Sequence, residues 1–217
     1  DLSHVKVSGD DYAPGELAEA MDGTADAIAQ AYKDMAVGAT LIFSVSVKQS
    51  EEIAKRIPNA AVVSGKTPLK ERQALIDGLT NGTISCLVNC MVFTEGTDIP
   101  RVETVIIARP TQSDSLYTQM VGRGLRLSPG KDKLNLIDCV GTTGSRSLCT
   151  APSLLGIDLS SVPEKKQQEL EGLLFDLPDK ATTLSDCPES WIRNVEIVDL
   201  WAKTQSYNIH GVNWFKQ

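Results

Sequence analysis

Short apolar runs alternate along the chain with longer stretches whose apolar residues recur every three or four positions. The first dozen residues keep neither pattern and read as extended or irregular. Pro14 then opens a helical segment over about 15–36, where Leu17, Ala18, Met21, Ala25, Ile28, Ala29 and Tyr32 fall at helical spacing. Residues 39–44, Ala-Thr-Leu-Ile-Phe-Ser, form a short apolar run typical of a buried parallel strand. Helix is expected over 47–57 and strand over 60–63. A helix starting at Pro68 runs to about Leu79 and closes on Asn81-Gly82. Further strands are predicted at 84–90, 102–108 and 134–138, with a helix capped by Asp114 or Ser115 between the last two.

Strands alternating with helices of this length predict βαβ units and an α/β, doubly wound parallel sheet. Ligands of such sheets gather on the loops after the carboxyl ends of the strands. The candidate chemistry falls there, in 44–46, 64–65, 89–98 and 109–111. Beyond about 150 the pattern loosens. A polar helix is expected around 164–173 and a loop over 178–188, and Trp191, Trp201 and Trp214 are expected to pack rather than to stack on bases. The chain therefore divides into a domain over 1–148 and a mixed extension over 149–217.

Composition narrows the classes. An apolar fraction of 41% and a charged fraction of 23% are those of a globular protein, and no apolar run is long enough for a membrane span. The chain opens on Asp1 rather than Met, as a fragment would. A net charge of −7 argues against coating nucleic acid by bulk electrostatics. Within 101–146 the sign reverses, with 7 basic against 4 acidic residues, which leaves a local patch able to take phosphate. Cys86, Cys90, Cys139, Cys149 and Cys187 form no CxxC pair and lie far in sequence from His4 and His210. Zinc is not expected, and an odd number of thiols fits a reduced, cytoplasmic setting.

The most informative stretch is 119–126, Gln-Met-Val-Gly-Arg-Gly-Leu-Arg. On a helix, Gln119, Arg123 and Arg126 project from one face while Met120, Val121 and Leu125 anchor the other. Two guanidiniums and an amide on one ridge suit phosphate oxygens, although a surface helix pairing its arginines with carboxylates has the same pattern. Gly122 and Gly124 cost a helix about 1 kcal/mol each relative to alanine, so close approach of a backbone or a ligand is expected there. Gly65-Lys66-Thr67 is not a phosphate loop, because position 60 is Ala and Pro68 follows at once; it reads as a turn with exposed Ser64 and Gly65 amides. No DExx box is present. Residues 94–100, Thr-Glu-Gly-Thr-Asp-Ile-Pro, read as an ordinary turn, as a carboxylate site for a ribose hydroxyl, or as a partner for an arginine of the neighbouring helix.

Four blocks in this order resemble those of the second, C-terminal RecA-like domain of superfamily-two helicases and translocases. Residues 40–46 look like motif IV, and 63–67 with Arg72 look like the segment that follows it. Residues 87–100 look like motif V, and 119–126 match motif VI, QxxGRxxR. The Glu-Gly-x-Asp-Ile-Pro form is similar to the DEAD/DEAH-related branch that includes excision-repair and restriction-type translocases. The resemblance covers about 38–141.

It implies a RecA-like sheet and an ATP site shared with an N-terminal RecA-like domain of the same protein. That partner domain would hold the phosphate loop and Mg²⁺; this chain supplies no metal ligands. Arg123 and Arg126 would meet the γ-phosphate as arginine fingers, worth about 10³–10⁵ in rate in analogous reactions. Gln119 would bridge toward the nucleotide, and Gly96 and Asp98 would approach its ribose. Asn89, Thr94, Ser44, Ser64 and Gly65 would touch a strand of DNA or RNA, DNA being favoured, through contacts without a sequence code. The chain alone is expected not to hydrolyse ATP. A docking module that has lost hydrolysis is the competing reading, and the intact Gln119, Arg123 and Arg126 argue against it.

Overall fold

Thr40–Phe43 forms the central strand because both of its faces are covered, so every position can be buried. The computed structural model describes residues 2, 4–92, 99, 101–126, 128, 131 and 134–139, with the backbone of 192–197. A two-residue hairpin, β1 (Val7–Ser8) and β2 (Asp11–Tyr12), comes first. Then follow α1 (Pro14–Ala20), α2 (Ala25–Met35), β3 (Thr40–Phe43), α3 (Val47–Ala54), β4 (Ala60–Val63), α4 (Leu69–Asn81) and β5 (Cys86–Asn89). β6 (Thr104–Ile107), α5 (Asp114–Gly124), β7 (Leu134–Asp138) and β8 (Ile192–Ile197) complete the described elements.

The larger sheet has the order β4-β5-β3-β6-β7-β8, and every neighbouring pair is parallel. The expected α/β class is therefore the observed one. β8 comes from the stretch set apart as an extension and lies beside β7. The expected helix at 164–173, the loop at 178–188 and the three tryptophans lie outside the described residues.

Alternation along the strands divides the core in two. Ile42, Val88, Ile106 and Ile137 pack with Leu17, Met21, Ile28 and Ile53 on one face. Leu41, Phe43, Leu87, Val105, Ile107 and Leu136 pack with Leu79, Tyr117, Met120 and Val121 on the other. Helices α1–α3 thus cover one face and α4 and α5 the opposite one, as double winding requires.

Two local expectations change. The segment over 15–36 is two helices, because the chain turns at 21–24 with Gly23 in the left-handed region (φ 79°). Met21 stays buried within that turn, which is why the apolar spacing ran on across it. Helix α5 is capped by Ser113, whose Oγ accepts from Leu116 N at 3.5 Å, rather than by Asp114 or Ser115. At the end of α4, Gly82 takes the left-handed cap expected of it (φ 85°).

Register fixes where the chemistry lies. Phe43 stands opposite Asn89 and Ile107, Asn89 opposite Val63, and Ile107 opposite Asp138. These are the last residues of five adjacent strands, so the loops that follow share one rim. From that rim α5 runs back along the sheet for about 16 Å, roughly the length of the strands beneath it.

Candidate functional site

The rim holds Ser44, Ser64, Gly65 and Asn89, and each is used differently. Ser44 is buried: its Oγ lies 2.6 Å from Ser50 Oγ and donates to Asn89 O at 3.1 Å, and its amide donates to the same carbonyl at 3.0 Å. The hydroxyl is committed inside the protein, where it ties β3 to β5. Asn89 is also fully buried, and its Oδ1 accepts from Val92 N at 2.8 Å, holding the chain as it leaves β5. Two residues on, Met91 sits half-exposed at φ 56°, a left-handed conformation that a long side chain rarely adopts. Sequence patterning gave no sign of it. Thr94, Gly96 and Asp98 lie outside the described residues.

Residues 64–67 make the expected turn, with one correction. The Ser64 amide is not free: it donates to Thr67 Oγ1 at 3.0 Å, and Ser64 Oγ accepts from Lys66 N at 3.3 Å. Arg72 closes the turn from α4 by donating to Thr67 O at 3.0 Å. Gly65 is exposed at its tip, and among the described residues its N–H has no acceptor. Of the two amides expected to be open, Gly65 supplies the one that is.

Helix α5 carries the charged ridge. Gln119 and Arg123 lie one turn apart and partly exposed, while Met120 and Val121 are buried against the sheet. The helix ends at Gly124, so Arg126, expected as the third member of the helical ridge, stands beyond the end. The two glycines also separate. A Cβ on Gly124 would meet Leu134 Cδ1 at 2.5 Å and Val105 Cγ2 at 2.6 Å, so this glycine lets the helix lie on β6 and β7. A Cβ on Gly122 would meet nothing within 4 Å among the described residues. Because Val105 and Leu134 belong to the early parts of their strands, α5 ends away from the rim.

Both ends of α5 are pinned by residues that the sequence reading did not single out for this. At the start, Asp11 Oδ2 pairs with Arg109 Nη2 at 2.9 Å and its Oδ1 accepts from Gln112 N at 3.0 Å. Asp10 Oδ2 accepts from the capping Ser113 Oγ at 3.2 Å. Arg109 is 5% exposed, so this is a buried ion pair reaching across the fold from the first hairpin. At the other end, Lys131 Nζ donates to the carbonyls of Gly124 and Arg126, the latter at 2.9 Å. Burial pushes the Lys131 ammonium down to about 8, and the Glu103 carboxylate opposes that shift. In between, Tyr117 OH donates to the buried Asp138 Oδ2 at 2.8 Å, fastening α5 to the end of β7.

Among the described residues, Cys86, Cys90 and Cys139 do not add a nucleophile. Burial drives the thiols of Cys86 and Cys139 far above their ordinary range and raises that of the half-buried Cys90, where the Arg109 charge works the other way. Among the described residues no helix is long and apolar enough to cross a membrane.

Residues 23–128 match the helicase conserved C-terminal domain. IRC3 of Saccharomyces cerevisiae, provisionally named an ATP-dependent helicase, is 32% identical over 232 residues, covering 92% of this chain and 34% of that protein. Its Schizosaccharomyces pombe namesake, provisionally named a mitochondrial ATP-dependent helicase, is 39% identical over 127 residues, covering 57% and 21%. The chain thus spans about a third or less of the length of these relatives. Among solved structures, S. cerevisiae Dbp5 bound to RNA and ADP BeF3 aligns with a TM-score of 0.49 at 17% identity, over 83% of this chain and 39% of that one. Over residues 23–128 this chain is a helicase conserved C-terminal domain.

Proposed function

We propose that the chain is the C-terminal half of an ATP-dependent motor that works on nucleic acid, DNA in preference to RNA. Its arginines complete a nucleotide site whose other half is an N-terminal RecA-like domain of the same protein. The observation that carries this reading is the placement of Gln119 and Arg123 one turn apart and partly exposed on α5, with Arg126 just past its end and the helix seated on β6 and β7 by Gly124. A donor set of two guanidiniums and an amide fits phosphate oxygens and does not fit a magnesium ion, so Mg²⁺ belongs to the partner domain. ATP bound there supplies the phosphoryl group for transfer to water. Arg123 and Arg126 stabilise the charge that builds on it, and Gln119 orients the groups around it.

Gly96 and Asp98 are assigned to the ribose. The strand contacts are assigned to the rim, with the Gly65 amide and Thr94 touching the backbone while Ser44, Ser64 and Asn89 shape the loops that carry them. The preference for DNA rests on the Glu-Gly-x-Asp-Ile-Pro form of 95–100. Relatives at 29% and 33% identity are named DNA 3'-5' helicases, provisionally in Haloarcula marismortui and plainly in Kineococcus radiotolerans, while two at 30% identity, from Rattus norvegicus and Mus musculus, are named nucleolar RNA helicase 2, so the names do not decide the strand. The thiol usage supports a reducing compartment, the cytoplasm.

In the full-length protein, Arg123→Ala or Arg126→Ala should lower strand-stimulated ATP turnover by about 10³-fold or more and leave strand affinity within about twofold. Wild-type turnover in both variants would end the arginine-finger reading. The 217-residue chain alone should show no turnover. Assaying the full-length protein with single- and double-stranded DNA and RNA decides the strand preference.

A further inference from the structure

We propose that Lys131 is a positioning residue for Arg126: its side chain fixes the backbone between Gly124 and Arg126 and so sets the direction in which that arginine leaves the helix. This inference rests on the arginine reading above and adds to it a residue outside the QxxGRxxR block.

The need for such a residue follows from where α5 stops. A helix leaves its last carbonyls without internal amides, and the common remedy is a left-handed residue just past the end. Helix α4 uses that remedy at Gly82. Helix α5 does not: Leu125 is right-handed (φ −83°, ψ −3°), and no left-handed residue follows among the described positions. Lys131 Nζ instead donates to the carbonyls of Gly124 and Arg126, one on each side of Leu125. Arg126 stands past the last helical residue, and this bridge constrains its backbone directly.

Lys131 is itself held. Its amide donates to Ser128 O at 3.0 Å, and Ser128 and Lys131 form a short antiparallel bridge immediately before β7. The ammonium is half-buried, with water partly excluded, which strengthens its bonds to the two carbonyls. The Ser128–Lys131 bridge is thereby tied to the exit of the arginine helix through one cation.

The test uses the full-length protein with saturating strand. Lys131→Met should lower kcat for ATP by about 10- to 100-fold, the scale of a misplaced catalytic group, with strand affinity within about twofold. Lys131→Arg, which can donate to two carbonyls at once, should recover turnover to within about threefold of wild type. Placed on an Arg126→Ala background, Lys131→Met should cost no more than about twofold further, because both changes remove the same contribution. Unfolding temperatures are recorded for each variant, and Lys131→Gln, which keeps a donor, replaces Lys131→Met if the latter does not fold. A defective Arg126→Ala beside an undiminished Lys131→Met, or fully additive losses in the double variant, would overturn the lysine assignment alone. Wild-type turnover in Arg126→Ala would overturn the arginine reading and this one with it.

Discussion

Gly124 lies so close to Val105 that a Cβ on the glycine would stand 2.6 Å from Val105 Cγ2. Val105 is fully buried and β-branched, so it has little freedom to retreat. The distance between the arginine helix and the sheet is therefore set by a missing methyl group. That contact places Arg123, one residue earlier, and the start of the path to Arg126.

The two glycines of α5 should respond oppositely to alanine. Gly124→Ala should destabilise the fold by about 1–3 kcal/mol through overpacking. Gly122→Ala meets open space and removes a poor helix former, so it should be neutral or stabilising by up to about 1 kcal/mol. Urea unfolding of both variants checks this, and equal shifts would show that packing on Val105 and Leu134 is not what distinguishes them. If Gly122→Ala stabilises the fold yet lowers ATP turnover, its bare backbone serves something that approaches the helix from outside.

The hairpin at the start of the chain should matter to stability out of proportion to its size. Asp11→Ala leaves Arg109 buried without its carboxylate, and among the described residues Arg109 Nε already lacks an acceptor. Breaking such a pair costs about 3–5 kcal/mol, so a large fall in unfolding temperature is expected. Asp11→Ala combined with Arg109→Met should cost less than the two single changes added together, since no buried charge remains. Full additivity would show that the pair is not coupled.

Lys131 gives the protein a sensitivity to alkaline pH. Its ammonium titrates at about 8, lowered by burial and opposed by Glu103, so it is charged at neutral pH and loses that charge as pH rises through this value. If the charge positions Arg126, kcat should fall along an alkaline limb near pH 8, and Lys131→Arg should remove that limb. Stability should move the other way. Unfolding returns the lysine to its ordinary value of 10.5, so between about 8 and 10.5 the unfolded chain binds more protons and folding becomes more favourable as pH rises. Falling turnover with undiminished unfolding temperature over that window separates mispositioning from denaturation.

Much of this was legible in the sequence, for identifiable reasons. Short runs such as 40–43 and 134–138 are mostly apolar and buried at every position because both faces of a parallel strand are covered. Asn81-Gly82 announced a left-handed helix end because few residues other than glycine accept that conformation. Gln119, Arg123 and Arg126 stood out because their spacing and chemistry point to one anion. The break at 21–24 was hidden, since buried Met21 continues the apolar rhythm through a turn.

What the sequence determined by itself was the order of elements, the double winding and the donor set, all of which depend on local periodicity and residue type. Tertiary structure decided which of those donors remain available. It buried the Ser44 hydroxyl against Ser50 and Asn89, engaged the Ser64 amide with Thr67, and ended α5 before Arg126. It also brought Asp11 to Arg109 and Lys131 to the end of the helix. The Asp11–Arg109 contact joins residues 98 positions apart, and whether a polar group meets solvent or another residue depends on which segments the fold brings together.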